Sequence, residues 1–348
     1  MAAFSISDTL KRYSAHHTHH ISSLPILILM PHSACNCRCI MCDIWKDNKN
    51  LKQLREEDIK DLLGSIKKLN TKLILMSGGE ALLNQKFFQL CALLKTHDLK
   101  ISLLSTGLSL KQHAENIVKY LDDVIVSIDG TEEVHNAIRR IPNAFAKLKE
   151  GISAIKAIDP KFRISSRTVI QHENFRLWPE MVLEFKSLGL DQLSFLPADV
   201  SSTAFNHSTP GVVEEGIKIL PDKNELPELH ATIEKVIREF ASDFQNKRIA
   251  ESPQKIRDLG LYYSAMHGLN PFPKKPCNAP WISAVIEADG TLRPCFFLES
   301  LGNIHNTKFE HLLNSEQNIR FRKNLDTAAH PVCERCVCSL YLSPLKRV

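Results

Sequence analysis

No run in the 348-residue sequence approaches the roughly 20 consecutive apolar residues that span a bilayer, so a transmembrane helix is excluded. The early apolar stretch from Leu24 to Met30 has only the length of a buried strand. A secretory leader is not expected either. The first 20 residues carry few bulky apolar side chains and no cleavage pattern, which makes the cytoplasm the expected location. A strong charge of one sign is also missing: 44 Lys and Arg against 39 Asp and Glu leave a net +5. The basic residues are scattered among acidic ones such as Glu56, Glu57 and Asp58, and no basic platform with interleaved aromatics is visible, so nucleic acid is not the expected partner. No internal repeat of useful length divides the chain. With 43% hydrophobic and 24% charged residues, it can bury one large core, or a core of roughly 200 residues with a smaller domain attached.

Cysteine, in contrast, is plentiful and unevenly placed. Cys35, Cys37, Cys39, Cys42 and Cys91 lie in the first third of the chain, and Cys277, Cys295, Cys333, Cys336 and Cys338 near its end. A disulfide framework belongs to shorter, secreted, loop-rich chains, so the tight spacings favour metal ligation. His16, His17, His19 and His20 form a local cluster. Either it binds metal or it is part of a flexible polar segment covering residues 1–23; the second is expected.

From residue 26 to about 197, short β-rich runs alternate with helix-length amphipathic stretches. Strands are predicted at 26–30, 73–76, 100–104, 124–128, 163–169 and 193–196, and helices near 55–68, 85–96, 110–120, 141–157 and 176–187. Six βα units imply an α/β fold with a parallel sheet, open or curled into a barrel, whose ligands gather at the carboxyl ends of the strands. Cys35, Gly78-Gly79-Glu80, Ser105-Thr106-Gly107 and Asp129-Gly130 each follow one of the first four strands, so independent features converge on one face. Residues 201–270 read as a helical connector, with helices at 227–243 and 252–265. Pro271, Pro273 and Pro276 then lead stiffly to Cys277, and residues 281 onwards read as a β-hairpin turning at Asp289-Gly290.

Cys35-x3-Cys39-x2-Cys42 can supply three thiolates to a four-iron cluster and leave one iron open for a substrate's amino and carboxylate groups. A zinc loop or a chance group of buried thiols is the alternative. The motif, its place after the first strand and the neighbouring Cys35-Asn36 resemble the radical S-adenosylmethionine superfamily. That resemblance implies a partial (β/α)6 TIM-like barrel over residues 24–200. It also implies a [4Fe-4S] cluster on Cys35, Cys39 and Cys42, and reductive cleavage of S-adenosylmethionine to a 5'-deoxyadenosyl radical. Met41 stands where the family commonly has an aromatic residue near adenine, a contact a thioether can also fill. Gly78, Gly79 and Glu80 match the Gly-Gly-Glu-Pro motif that holds the methionine amino group, with Ala81 in place of proline. Ser105 lies in a turn resembling Thr-Asn-Gly; Ser127 and Asp129 match the fourth-strand motif, and Arg167 an arginine set against the methionine carboxylate. His135 and Arg139 resemble the His and Arg that follow Asp-Gly, where they either serve the site or only organise a helix start and a salt bridge.

In the second group, Cys277 and Cys295 flank the hairpin and Cys333-x2-Cys336 can complete a set of four ligands, for iron or for structural zinc. The spacing Cys277-x12-Gly290-x4-Cys295 resembles the auxiliary-cluster domain of SPASM or twitch type, here residues 271–348. The resemblance implies one auxiliary [4Fe-4S] cluster on Cys277, Cys295, Cys333 and Cys336. Cys338 is then uncommitted. It can replace Cys336, lie buried, or act catalytically as a hydrogen-atom or proton donor.

The expected activity is that of a radical oxidoreductase or lyase acting on a small polar metabolite, sugar or aminoglycoside-like, by dehydrogenation or elimination assisted by the auxiliary cluster. An external one-electron reductant such as flavodoxin or ferredoxin would feed it. The first rival is radical modification of a ribosomally made peptide. A rival of another class is a non-catalytic zinc or iron-sulfur protein that uses the barrel as a binding module.

Overall fold

The computed structural model describes residues 6–207, 216–343 and 345. Its centre is a run of six parallel strands: β1 (Ile26–Leu29), β2 (Leu73–Met76), β3 (Lys100–Ser105), β4 (Asp123–Ser127), β5 (Arg163–Ile170) and β6 (Gln192–Pro197). They lie side by side in chain order, each joined to the next through at least one helix, which makes the partial α/β barrel expected from the sequence. The helix Glu56–Lys68 shows why these crossovers form. Ile59, Leu62 and Ile66 recur at helical spacing and are buried, while Glu56, Glu57 and Asp58 open the helix and Lys67 and Lys68 close it, as its dipole favours. Each such buried Leu or Ile contributes roughly 1.5–3 kcal/mol.

Along β5, Ile164, Ser166, Thr168 and Ile170 are buried on one face; Arg167 and Val169 on the other are only partly covered. Register sets Ser127 of β4 beside Arg167, and Arg167 beside Ser194 of β6, so these three polar residues share the less covered face.

The C-terminal hairpin is present but is not a separate layer. Its first strand, β7 (Ser283–Ile286), pairs in parallel with β1 from Ile26↔Ser283 to Leu29↔Ile286. The strands β8 (Thr291–Arg293) and β9 (Gly302–Asn303) follow antiparallel, so one nine-stranded sheet carries both cysteine regions. β7 is buried at every position, which explains why it is covered by β1 instead of ending the sheet. Gly290 turns the hairpin with φ 82°, and a Cβ there would stand 2.8 Å from the His305 ring.

Two expectations are corrected. The segment expected to be flexible contains the helix Ile6–Thr18, and His16 and His19 pack against Trp281 while His17 and His20 are exposed. Ala15 is fully buried, His16 stacks on Trp281 at 5.4 Å, and Trp281 Nε1 donates to His19 Nδ1 at 3.3 Å. The stretch predicted as one helix at 141–157 begins only at Ala144. A separate helix, Glu132–Arg139, precedes it and is cut off by Arg140 in the left-handed region. No helix among the described residues is long and apolar enough to cross a membrane.

Candidate functional site

The loop after β1 is held from two sides. The Arg38 and Ile40 amides donate to the carbonyls of Arg139 and Ile138, both at 3.0 Å, which lays the loop along the end of the helix Glu132–Arg139. On the other side it rests on Gly78-Gly79. A Cβ on Gly79 would lie 2.2 Å from the Ala34 carbonyl oxygen, and Gly78 has φ 114°. Only glycine lets the two backbones approach this closely. The Glu80 amide then donates to that same Ala34 oxygen at 2.9 Å, and Cys42 N donates to Cys39 O at 3.3 Å, which tightens the cysteine turn.

Cys35, Cys39 and Cys42 are thus on one turn, and none is in a disulfide. Arg139 is buried behind them. Its Nη1 stands 3.4 Å from Cys39 Sγ, and its Nη2 pairs with the Asp129 carboxylate. A hydrogen bond from the Cys37 thiol, together with this guanidinium, pulls Cys39 below the ordinary thiol value even though burial opposes ionisation. Burial, and then the neighbouring Cys39 and Cys35 sulfurs, push Cys42 up. Cys37, between them in the chain, is 1% exposed and hydrogen-bonds the sulfurs of Cys35 and Cys39, which raises its own pKa.

Glu80 is fully enclosed. Its carboxylate accepts from Thr106 N and Oγ1, both at 2.7 Å, from Ser105 Oγ at 3.1 Å and from Leu82 N at 3.2 Å. Burial raises its pKa, and these donors oppose the rise. Ser105 therefore supports Glu80. Thr106 Oγ1 also lies 3.0 Å from Asn36 Oδ1, tying the third strand's turn to the cysteine loop.

Asp129 is also locked into the protein: besides Arg139, its carboxylate accepts from Val169 N at 3.0 Å, and its carbonyl accepts from Asn174 Nδ2 at 2.7 Å. His135 Nδ1 accepts from Asp129 N at 3.2 Å, and burial depresses this imidazole to about 3. Met41 packs against the cluster of Ala198, Val200 and Ile219, with its sulfur 3.9 Å from Gln171 Nε2. Asn174 had no role legible in the sequence, since nothing marks a lone Asn, whereas Thr106 stood in the Ser105-Thr106-Gly107 turn and the resemblance had marked His135 and Arg139.

The second cysteine group is assembled by Asn278. Its amide donates to Leu340 O at 2.9 Å, its side chain donates to Leu342 O at 2.9 Å and accepts from Leu342 N at 3.0 Å. This pins the tail beside Cys277 and brings Cys333, Cys336 and Cys338 with it. Cys295 and Cys333 are pushed up to about 12 and about 11, mainly by burial and then by neighbouring thiols of the same group. Cys336 Sγ accepts from Cys338 N at 3.4 Å, while Cys338 is exposed. Cys336, Cys338, Lys275, Tyr262, Glu251 and Arg167 line a cavity of about 470 Å³ that runs from the barrel interior to this tail. Glu251 is held at its wall by Ser194 Oγ at 2.8 Å and Phe195 N at 3.1 Å.

Both donor sets fit iron-sulfur ligation: free thiols, largely out of water, on loops pinned by backbone hydrogen bonds, with an arginine at one group and a lysine at the other. Residues 29–185 match the family described as the Radical SAM superfamily, and residues 277–337 the SPASM family, described as an iron-sulfur cluster-binding domain. These matches give the chain a Radical SAM domain followed by a C-terminal SPASM domain.

Among individual proteins it is similar to an S-adenosylmethionine-dependent nucleotide dehydratase of Fibrobacter sp. (strain UWH6), 28% identical over 163 residues. That match takes in 41% of this chain and 46% of the dehydratase, less than half the relative's length. The solved structure of native anSMEcpe with bound AdoMet superposes with a TM-score of 0.64 at 21% identity, covering 86% of this chain and 83% of that one. Streptococcus suis SuiB bound to the precursor peptide SuiA gives 0.61 at 14% identity, covering 94% and 74%. At these identities the two structures show a shared fold.

Proposed function

We propose that this chain is a radical S-adenosylmethionine enzyme that abstracts hydrogen from a peptide substrate. The observation that carries the first part is the interlock of Ala34 with Gly79, which seats the three-cysteine turn directly against Glu80. Cys35, Cys39 and Cys42 would hold the [4Fe-4S] cluster; when bound with S-adenosylmethionine it supplies one electron for cleavage of the sulfonium. Arg139 stabilises the Cys39 thiolate. Glu80, held by Ser105 and Thr106, keeps a buried acceptor for an ammonium group, and Ser127 and Arg167 offer a hydroxyl and a cation on the neighbouring wall. Cys277, Cys295, Cys333 and Cys336 would hold the auxiliary cluster.

Peptide is preferred as substrate because the likeness in fold to SuiB, solved with a precursor peptide, extends over most of this chain. A small polar metabolite is the second reading, favoured by the sequence match to a nucleotide dehydratase. That match covers only 41% of the chain, so it carries less weight.

The test is anaerobic reconstitution of the full chain, followed by iron and sulfide analysis and S-adenosylmethionine cleavage with flavodoxin or ferredoxin as reductant. About eight irons per chain and formation of 5'-deoxyadenosine are expected. Deuterated candidate peptides should pass deuterium to that product. Transfer from small metabolites alone sinks the peptide reading, and zinc at both sites without cleavage sinks the enzyme.

A further inference from the structure

Lys275 stands two residues before Cys277, at the start of the second cysteine group. Pro273 and Pro276 stand on either side of the Lys274-Lys275 pair and restrict the backbone there. The Lys275 side chain is half-buried and turns inward: its Nζ donates to the Cys336 carbonyl and lies 5.9 Å from the Tyr262 ring centre. It also lines the cavity that Arg167 shares. Lys274, one residue away, is exposed.

We propose that Lys275 is a positioning residue of the auxiliary site, whose ammonium sets the reduction potential of the group held by Cys277, Cys295, Cys333 and Cys336. This rests on the reading that those cysteines hold an iron-sulfur cluster. Four thiolates make the oxidised site electron-rich, and adding an electron deepens the negative charge. A fixed cation within hydrogen-bond reach of a ligand's backbone favours the reduced form, because cluster potentials follow local charge, hydrogen bonding and exposure. Lys275 thereby keeps the auxiliary site competent to accept an electron at the cavity where the substrate would stand. The hydrogen bond to Cys336 O adds orientation, since it ties the tail loop to the Pro-Lys-Lys-Pro connector.

The experiment is anaerobic redox titration of the reconstituted full chain followed by electron paramagnetic resonance, with iron counted on every sample. Lys275→Met should lower the auxiliary reduced-to-oxidised ratio about tenfold at a fixed poise, equivalent to ~59 mV for one electron. The signal of the Cys35, Cys39 and Cys42 group should not move. Lys275→Arg should restore the ratio, and Lys274→Met should leave it unchanged. If Lys275→Met fails to hold the auxiliary cluster, Lys275→Gln keeps a donor for Cys336 O without the charge and should show the same drop. About eight irons with an unmoved auxiliary ratio in the neutral variants overturns the inference alone. About four irons in the unmodified chain overturns the auxiliary-cluster reading and the inference with it.

Discussion

Gly79→Ala puts the central packing claim at risk. A Cβ at this position would meet the Ala34 carbonyl oxygen at 2.2 Å, the Ala34 carbonyl carbon at 2.6 Å and Cys35 N at 3.0 Å, all of them backbone atoms. Ordinary contact begins near 3.4 Å, so the loop must retreat by roughly 1.2 Å, and no side-chain rotamer can absorb that. Overpacking of this kind costs about 1–3 kcal/mol, and loss of the hydrogen bond from Glu80 N to Ala34 O adds about 1 kcal/mol. The displaced atoms adjoin Cys35, so metal loading should suffer beyond the loss of stability. Urea denaturation of the metal-free chain and iron counting after reconstitution read the two effects separately. We expect a stability loss in that range, loss of the first cluster's iron, and retention of the auxiliary iron. Gly64→Ala is the control: it lies in the helix Glu56–Lys68 with nothing within 4 Å of its added carbon, and should gain up to ~1 kcal/mol. Unchanged stability and full first-cluster loading in Gly79→Ala would refute the interlock.

Arg139→Met should cost about 3–5 kcal/mol, because it strands the fully buried Asp129 carboxylate; adding Asp129→Asn should recover part of the loss. A cost below ~1 kcal/mol by denaturant titration contradicts the pairing. His135 carries a pH prediction. Its folded pKa of about 3 lies below the ordinary 6.5, so its contribution to stability is complete above pH 6.5 and is lost as the pH falls from there towards 3. Between pH 7 and pH 5 the metal-free chain should lose about 2 kcal/mol more than His135→Asn does, and parallel pH profiles would falsify the buried neutral imidazole. Cys336→Ala should remove about half of the reconstituted iron while Cys338→Ser retains it; iron loss on the Cys338 change instead would exchange their roles.

Much of the architecture was legible because its signals are local. Short apolar runs such as Ile26–Leu29 and Leu73–Met76, separated by amphipathic stretches, specify strands and crossover helices with few alternatives. The cysteine spacings and Gly-Gly-Glu were equally legible, since close ligands and close backbones leave their mark within a few residues. The helix Ile6–Thr18 was missed because its stability comes from Trp281, far away in the chain. The parallel pairing of β1 with β7 was missed for a related reason: no local pattern says which distant edge an apolar strand will cover.

The sequence by itself determined the alternation of strands and crossover helices, the three-cysteine turn and the Gly-Gly-Glu element, because each depends on neighbours in the chain and on residue types with narrow chemical use. Only the tertiary structure decided what those groups touch. It put Arg139 on Cys39, Thr106 on Glu80, the Cys37 thiol between two other sulfurs, and Asn278 against the tail that carries Cys333 to Cys338. These contacts join residues up to some hundred positions apart, and packing and hydrogen-bond geometry, which no spacing encodes, select them.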